Sequence, residues 1–492
     1  MKTTKKVLAF LIVAMMIVAM LPNALADSTI SVGSGDTRSY DVYQIFTGEL
    51  SDGVLSNVKW GKNGTGTQGE AVDQTVLDAL TAVNSQSDTE KLKVIKNYVN
   101  LNSEKFGTVS NGNTLDAPTG YYLIKDTGPV GDGEAYSLYV VQVVGPTTIS
   151  PKVGTTTSDK KVDDKNDSNT TEDATTWQDS ADYDIGDDVP FKLSATIATD
   201  YANYTYGYKL TFHDKEATGL TFKPDSVKVF VDGTPISTGY EVVTSGLTDG
   251  CTFEVRFANL KSVTSVHAGS VVSVEYTSTL NSNANIGSLG NKNTSHVTYT
   301  NNPNDDQYGE NGKTPDDTVI VFTYQVVVNK VKLAPTSPTA EPGTPAQYDP
   351  LEGAGFTLYK KNASGDYVAI GTELKGDSMT TFTWKGLDDG DYKLEESTTP
   401  AGYNTIAPIE FTITATHEIE SQNPKLTDLA GGDKFTGTVA TGTLTAKVEN
   451  KAGNTLPSTG GMGTTIFYVL GSILVVGAAV LLVTRKRMST KG

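Results

Sequence analysis

Short segments in which apolar and polar residues alternate recur along the chain, set apart by Gly, Asn and Asp turns. Phe191-Lys192-Leu193-Ser194-Ala195, Val227-Lys228-Val229-Phe230-Val231 and Val271-Val272-Ser273-Val274-Glu275-Tyr276 are three of them. A period of two sends successive side chains to opposite faces, so each segment buries one face and wets the other. Regularly spaced short strands of this kind predict an all-β chain of sandwich domains. A chain of 492 residues has room for about three of them.

Charge narrows the partners. With 57 acidic and 39 basic residues the net charge is −18, and no basic patch is present to neutralise phosphates. Nucleic acid is therefore excluded as a partner. The single cysteine, Cys251, rules out an intrachain disulfide framework and is expected to be a buried, inert thiol. His213, His267, His296 and His417 are scattered without metal-ligand spacing, and no nucleophile elbow or phosphate loop occurs. No metal, cofactor or turnover chemistry is expected. The acidic stretches Asp163 to Asp167 and Asn301 to Asp306 lack the glycine and closing Glu of a calcium loop and read as solvated loops.

The ends carry addresses. Residues 1–26 combine Lys2, Lys5 and Lys6 with an apolar run from Val7 to Leu21 and then Ala24-Leu25-Ala26, the pattern of a cleaved signal peptide. Residues 456–492 open with Leu456-Pro457-Ser458-Thr459-Gly460, run through an apolar stretch from Ile466 to Val483, and close with Arg485-Lys486-Arg487. The stretch is long enough to span a bilayer, and the basic cluster holds the tail on the cytoplasmic side.

Between the ends, residues 27–152 read as a mostly β domain with a helical insert near 71–100. There Val76, Leu77, Leu80 and Val83 recur at helical spacing, and Ser87 with Glu90 forms a capping box. Residues 153–322 and 323–455 read as two β-sandwiches, the second interrupted by the Pro-rich loop from Ala334 to Pro350.

In the last of these, strand alternation puts Tyr392, Leu394 and Glu396 on one face, so Glu396 points into the core if Leu394 does. A buried carboxylate is costly unless neutral or paired. The first strand of the same domain ends in Lys330 and the last ends at Asn450. Burial disfavours both charged forms, so a buried Lys becomes a neutral nucleophile and a buried Glu keeps a proton to pass on. Those three residues can form a Lys–Asn isopeptide bond with loss of ammonia. The bland alternative is a buried Lys–Glu pair beside an Asn.

Four features resemble known families. The C-terminal order of pentapeptide, apolar span and basic tail is similar to the sorting signals of Gram-positive sortase substrates. Tyr392, Leu394, Glu396, Pro400, Gly402 and Tyr403 resemble the E-box of sortase-assembled pilins. Lys330-Val331, Leu351 to Tyr359 and Val448-Glu449-Asn450 resemble their collagen-adhesin B-type domain, with Lys332 as an alternative to Lys330. The middle region resembles the A-type counterpart through Asp159-Lys160-Lys161-Val162, Phe212 to Thr221 and Val297 to Pro303.

The resemblance implies tandem immunoglobulin-like sandwiches and a second isopeptide bond, with Lys160 as nucleophile, Asp214 as proton shuttle and Asn301 as acceptor. Lys161, Asn293 and Asn302 stay open as alternatives. It also implies that a pilin-type sortase cuts after Thr459 and joins it to a lysine at the first domain junction. Here Ser150-Pro151-Lys152 stands where backbone pilins often have Tyr-Pro-Lys, so the resemblance implies Lys152 as that lysine. The expected protein is a subunit of a cell-surface fimbria, secreted and anchored to peptidoglycan by a wall-anchoring sortase. Its other partners would be identical subunits, with minor pilins and host ligands at the surface. The alternatives are a monomeric wall-anchored adhesin and a minor tip or basal pilin.

Overall fold

The computed structural model describes residues 28–488 apart from 35, 37, 52–53, 87, 128–134, 136, 144, 150–153, 169–174, 304, 306, 310–311, 336–344 and 454–462. The signal segment, Ser87, Lys152 and the pentapeptide Leu456 to Gly460 lie outside the described residues.

The alternating segments form strands with the expected faces. In Asp188–Thr196, Val189, Phe191, Leu193 and Ala195 point inward and are at most 1% exposed. Residues 28–149 form two sheets. One is ordered Val54–Trp60, Ser39–Ser51, Gly120–Asp126, Leu138–Val143, with Gly107–Ser110 also on Ser39–Ser51. The other pairs Thr29–Val32 antiparallel with Leu115–Asp116 and parallel with Thr147–Ile149. The helical insert is present as Gln74–Ala82 and Asp88–Ile95. Its Val76, Leu77, Leu80, Leu92 and Ile95 pack with Phe46 and Trp60, so the helical stripe closes one end of the larger sheet. Among the described residues this unit buries no lysine.

The middle unit stacks two sheets over one core. The first runs Trp177–Gln178, Thr157–Asp163, Asp188–Thr196, Val271–Leu280, Lys228–Val231, Thr234–Ile236. The second runs Ser180–Asp182, Asp317–Phe322, Asn291–Tyr299, Leu210–Glu216, Phe253–Phe257, Glu241–Val243. In the third unit, Tyr324–Leu333 lies between Tyr348–Pro350 and Thr443–Glu449 and also pairs with Thr381–Leu387. Facing it is the sheet Tyr367–Ala369, Gly355–Lys361, Gly390–Thr398, Ile409–His417, Leu426–Ala430. The pairing of Tyr324–Leu333 with Thr443–Glu449 is parallel. First and last strands of this unit are therefore neighbours. A final helix, Gly463–Met488, carries an exposed apolar span over Phe467–Lys486 with mean hydropathy 2.4.

The second and third units meet in a packed and charged junction. Ile320 and Phe322, from the last strand of the middle unit, belong to the core of the third. Asp179 N–H donates to Ile419 O at 2.9 Å, and Ser180 Oγ lies 2.8 Å from His417 Nδ1. Lys360 Nζ meets Asp184 at 2.6 Å, Asp167 at 3.1 Å and Asp388 at 3.4 Å. Around it, burial and neighbouring carboxylates push Asp164, Asp187 and Asp389 up to about 6, and Asp182 and Asp388 well above the usual range. Burial pushes His417 the other way, down to about 4.

The raised carboxyls keep protons between about pH 4 and 6 that the unfolded chain has released, so they favour the folded state as pH falls through 6. Two lowered histidines, His417 and the half-buried His296 of the middle unit, oppose them, but five carboxyls outnumber the two. The thermal midpoint should therefore rise between about pH 7 and pH 5, before ordinary carboxylates protonate. A midpoint that falls over this range in calorimetry would show that the carboxyl effect does not win.

Candidate functional site

Two buried Lys–carboxyl–Asn groups sit between the sheets, one in each sandwich. In the third unit, Tyr324, Val326, Val328 and Lys330 alternate inward, so a lysine occupies a core position at the end of an apolar row. Lys330 is 1% exposed and Lys332 is only half-buried. From the facing sheet, Tyr392, Leu394 and Glu396 alternate inward as the sequence implies, and Glu396 Oε1 lies 3.0 Å from Lys330 Nζ. The parallel register sets Lys330 opposite Val448, and Asn450 N–H donates to Val331 O at 3.1 Å. Asn450 thereby arrives beside Lys330, whose Nζ contacts its Oδ1. Asn450 Nδ2 donates to Glu396 Oε2 at 3.2 Å and to Asn404 O at 3.0 Å.

The Pro400-Ala401-Gly402-Tyr403 segment makes the last contacts possible. Gly402 sits at φ +84°, in the left-handed region that glycine enters without penalty, and the chain reverses there. The return brings Asn404 O to Asn450 and Ile406 N–H to Glu396 Oε2 at 2.9 Å. Burial against Phe356, whose ring centroid is 5.2 Å from Nζ, pushes the Lys330 amine down, and Glu396 pulls it part of the way back. The amine, the carboxamide carbon's oxygen and the prospective leaving nitrogen are thus each in contact with a partner suited to the substitution.

In the middle unit Lys160 and Asp214 are both 0% exposed and in direct contact. Lys160 pairs with Leu193 in Asp188–Thr196, and its neighbour Lys161 points outward to Asp179. Tyr276 joins the group: its hydroxyl is 3.0 Å from Lys160 Nζ, donates to Asp214 Oδ2 at 2.8 Å, and accepts from Asn293 Nδ2 at 2.8 Å. Burial pushes Lys160 down and Asp214 up, each opposed by the other's charge, so both shift toward their neutral forms. Glu216, two residues on, is pushed up to about 8 by burial and then by Asp214.

The structure does not bring Asn301 to Lys160. The asparagine in this group is Asn293, on the strand Asn291–Tyr299. Asn301 is buried beyond the end of that strand, and the stretch from 293 to 299 alone spans about 20 Å. The reading that assigned Asn301 followed a sequence likeness of the closing strand, whereas the residue paired across from Glu216 decides who faces Lys160. Asn302, the other alternative, is half-buried beside it.

Tyr276 was not singled out from sequence, although Val272, Val274 and Tyr276 alternate inward and a buried phenol needs a partner. Tyr276→Phe would leave Lys160, Asp214 and Asn293 each one partner short. A loss of about 1–3 kcal/mol in denaturant unfolding is expected. An unchanged midpoint would mean that the hydroxyl is not part of the buried network.

Comparison with known proteins adds two matches. Residues 448–489 match the LPXTG cell wall anchor motif. The chain ends in a cell-wall anchor. It is a wall-anchored surface protein, and the apolar helix Gly463–Met488 is the membrane part of that anchor. Residues 345–425 match SpaA, the prealbumin-like fold domain, which covers most of the sheet that carries Glu396.

Solved structures similar to the anchored chain include the T6 backbone pilin of serotype M6 Streptococcus pyogenes. That likeness has 17% identity, covers 89% of this chain and 100% of that chain, and has a TM-score of 0.49. The major pilin SpaD from Corynebacterium diphtheriae has 16% identity over 87% and 98% of the two chains, with a TM-score of 0.44. The group B streptococcus pilus 2b backbone protein has 21% identity over 56% and 97%, with a TM-score of 0.37. No curated protein matches the sequence.

Proposed function

We propose that this chain is the structural subunit of a covalently polymerised surface fimbria. A pilin-type sortase cuts between Thr459 and Gly460 and passes the Thr459 carbonyl to Lys152 of the next subunit, and a wall-anchoring sortase joins the last subunit to peptidoglycan. The observation that carries this reading is the anchor match beginning at 448, inside the strand that ends next to Asn450. The scissile segment follows a strand locked against the first strand of its own domain, so load arriving at Thr459 reaches Asn450 and Lys330 almost at once.

Each buried group closes its sandwich with one bond. The neutral Lys amine attacks Cγ of the Asn carboxamide, its proton passes to the carboxyl, and the carboxyl proton passes to Nδ2. The new Cγ–Nζ bond replaces Cγ–Nδ2, and ammonia leaves. Lys330 takes Asn450 with Glu396 as the shuttle. Lys160 takes Asn293 with Asp214 as the shuttle and Tyr276 holding all three. The boundaries 27–152, 153–322 and 323–455 follow as the three units of the fibre repeat. Each of the two self-cross-links forms once, so the subunit turns nothing over.

The test is an immunoblot of wall extracts after peptidoglycan digestion. A ladder of sizes stable in SDS is expected. A single band would replace this reading with a monomeric wall-anchored adhesin.

A further inference from the structure

The outer face of the second sheet of the middle unit gathers side chains from distant parts of the sequence. His213, on Leu210–Glu216, stands opposite His296 on one neighbouring strand and Glu254 on the other. The turn from Asp249 to Cys251 folds over this row. Asp249 Oδ2 is 2.7 Å from His213 Nδ1 and accepts from the Cys251 thiol at 3.0 Å. The other carboxylate oxygen accepts from the Cys251 N–H at 3.1 Å, which fixes the turn. Nδ1, a carboxylate oxygen and Sγ all lie within 4.8 Å of one another. Glu254 Oε1 is 3.4 Å from the same ring nitrogen.

We propose that His213 Nδ1, Asp249 Oδ2 and Cys251 Sγ bind one divalent transition-metal cation, with zinc the best match to the donors. Imidazole, carboxylate and thiolate are the three ligand types that zinc takes at about 2.0–2.3 Å in tetrahedral sites. Calcium and magnesium take oxygen only, so the nitrogen and sulfur argue against them. The present contacts need to open only to the roughly 3.5 Å that separates ligands around such an ion.

Binding at Nδ1 requires the ring proton on Nε2, and Thr298 Oγ1 is 2.8 Å from that nitrogen to accept it. His296 stacks on the ring with centroids 4.6 Å apart and planes 9° apart, holding its orientation. The thiol proton goes to solvent as the metal–sulfur bond forms. The ion would tie the turn to the sheet in a chain that has no disulfide to do so. Sequence spacing hides the site, because the donors meet only through strand pairing.

The test is a titration of the full-length chain, purified in detergent, with cobalt(II) and then zinc chloride. One equivalent of cobalt is expected, with a thiolate-to-metal charge-transfer band that zinc abolishes. Cys251→Ser should remove the band and weaken cobalt binding by at least tenfold. Thr298→Val should keep the band and weaken binding by about 10–100-fold. Absence of uptake, uptake without the band, or equal affinity in Cys251→Ser would each overturn the proposal. Both substitutions lie on one outer face away from the buried network, and an unchanged circular dichroism spectrum checks that the fold is intact.

Discussion

The intact mass of the segment from Asp27 to Thr455 will fall short of its calculated value by about 34 Da, one ammonia of ~17 Da for each of two bonds. The deficit should split by residue. Glu396→Gln leaves Lys330 and Asn450 in place but removes the acid, and should restore ~17 Da; Asp214→Asn should restore the other ~17 Da. The isosteric amides are the informative variants. Glu396→Ala would strand a buried lysine, a cost of about 3–5 kcal/mol on its own.

A cross-link over a loop of this length removes about 4–5 kcal/mol of unfolded-state entropy by the estimate used for disulfides. Glu396→Gln should therefore also lower the thermal midpoint markedly. A wild-type segment at its full calculated mass would mean that the two groups are buried ion pairs and nothing more. The placement of the bonds also shapes how load travels. A bond between Lys330 and Asn450 would join neighbouring first and last strands and shield residues 331–449. A bond from Lys160 to Asn293 would shield 161–292 but leave the strands from 294 to 322 in the load path.

Replacing Lys152 by Ala should collapse the high-mass ladder in wall extracts to monomer-sized bands while leaving wall anchoring intact. In the proposed assembly anchoring would use only the Thr459 carbonyl, and polymerisation would also need the amine. A proline restricts its own φ, so the order Pro151-Lys152 in the sequence suits a side chain offered to an external enzyme. Thr148 and Ile149, a few residues earlier in the sequence, sit in a strand paired with Thr29–Val32. A ladder that survives the substitution would move the acceptor to another lysine near the same junction.

Much of this was legible in the residues because strand alternation is a strict rule. Tyr392, Leu394 and Glu396 share a face whatever the fold around them, and the same rule separates Lys160 from Lys161. Asn450 was legible because it closes the last strand. Asn293 was harder, since several asparagines lie on or after one strand, and only the register with Leu210–Glu216 picks the one that faces Asp214's neighbours. Tyr276 and Glu216 were hidden for a different reason: a Tyr and a Glu in alternating strands carry no mark of function until their burial is known. Asp164 and Asp167 read as part of a solvated loop from 163 to 167, and joined a charged interface only when Lys360 and Asp388 came from the next unit.

The most direct measurement is tandem mass spectrometry of the purified ladder after proteolysis. The account predicts a branched peptide in which the Thr459 carbonyl is bonded to Lys152 Nζ. Thr459 found only on wall peptide, with no inter-subunit branch, would contradict it.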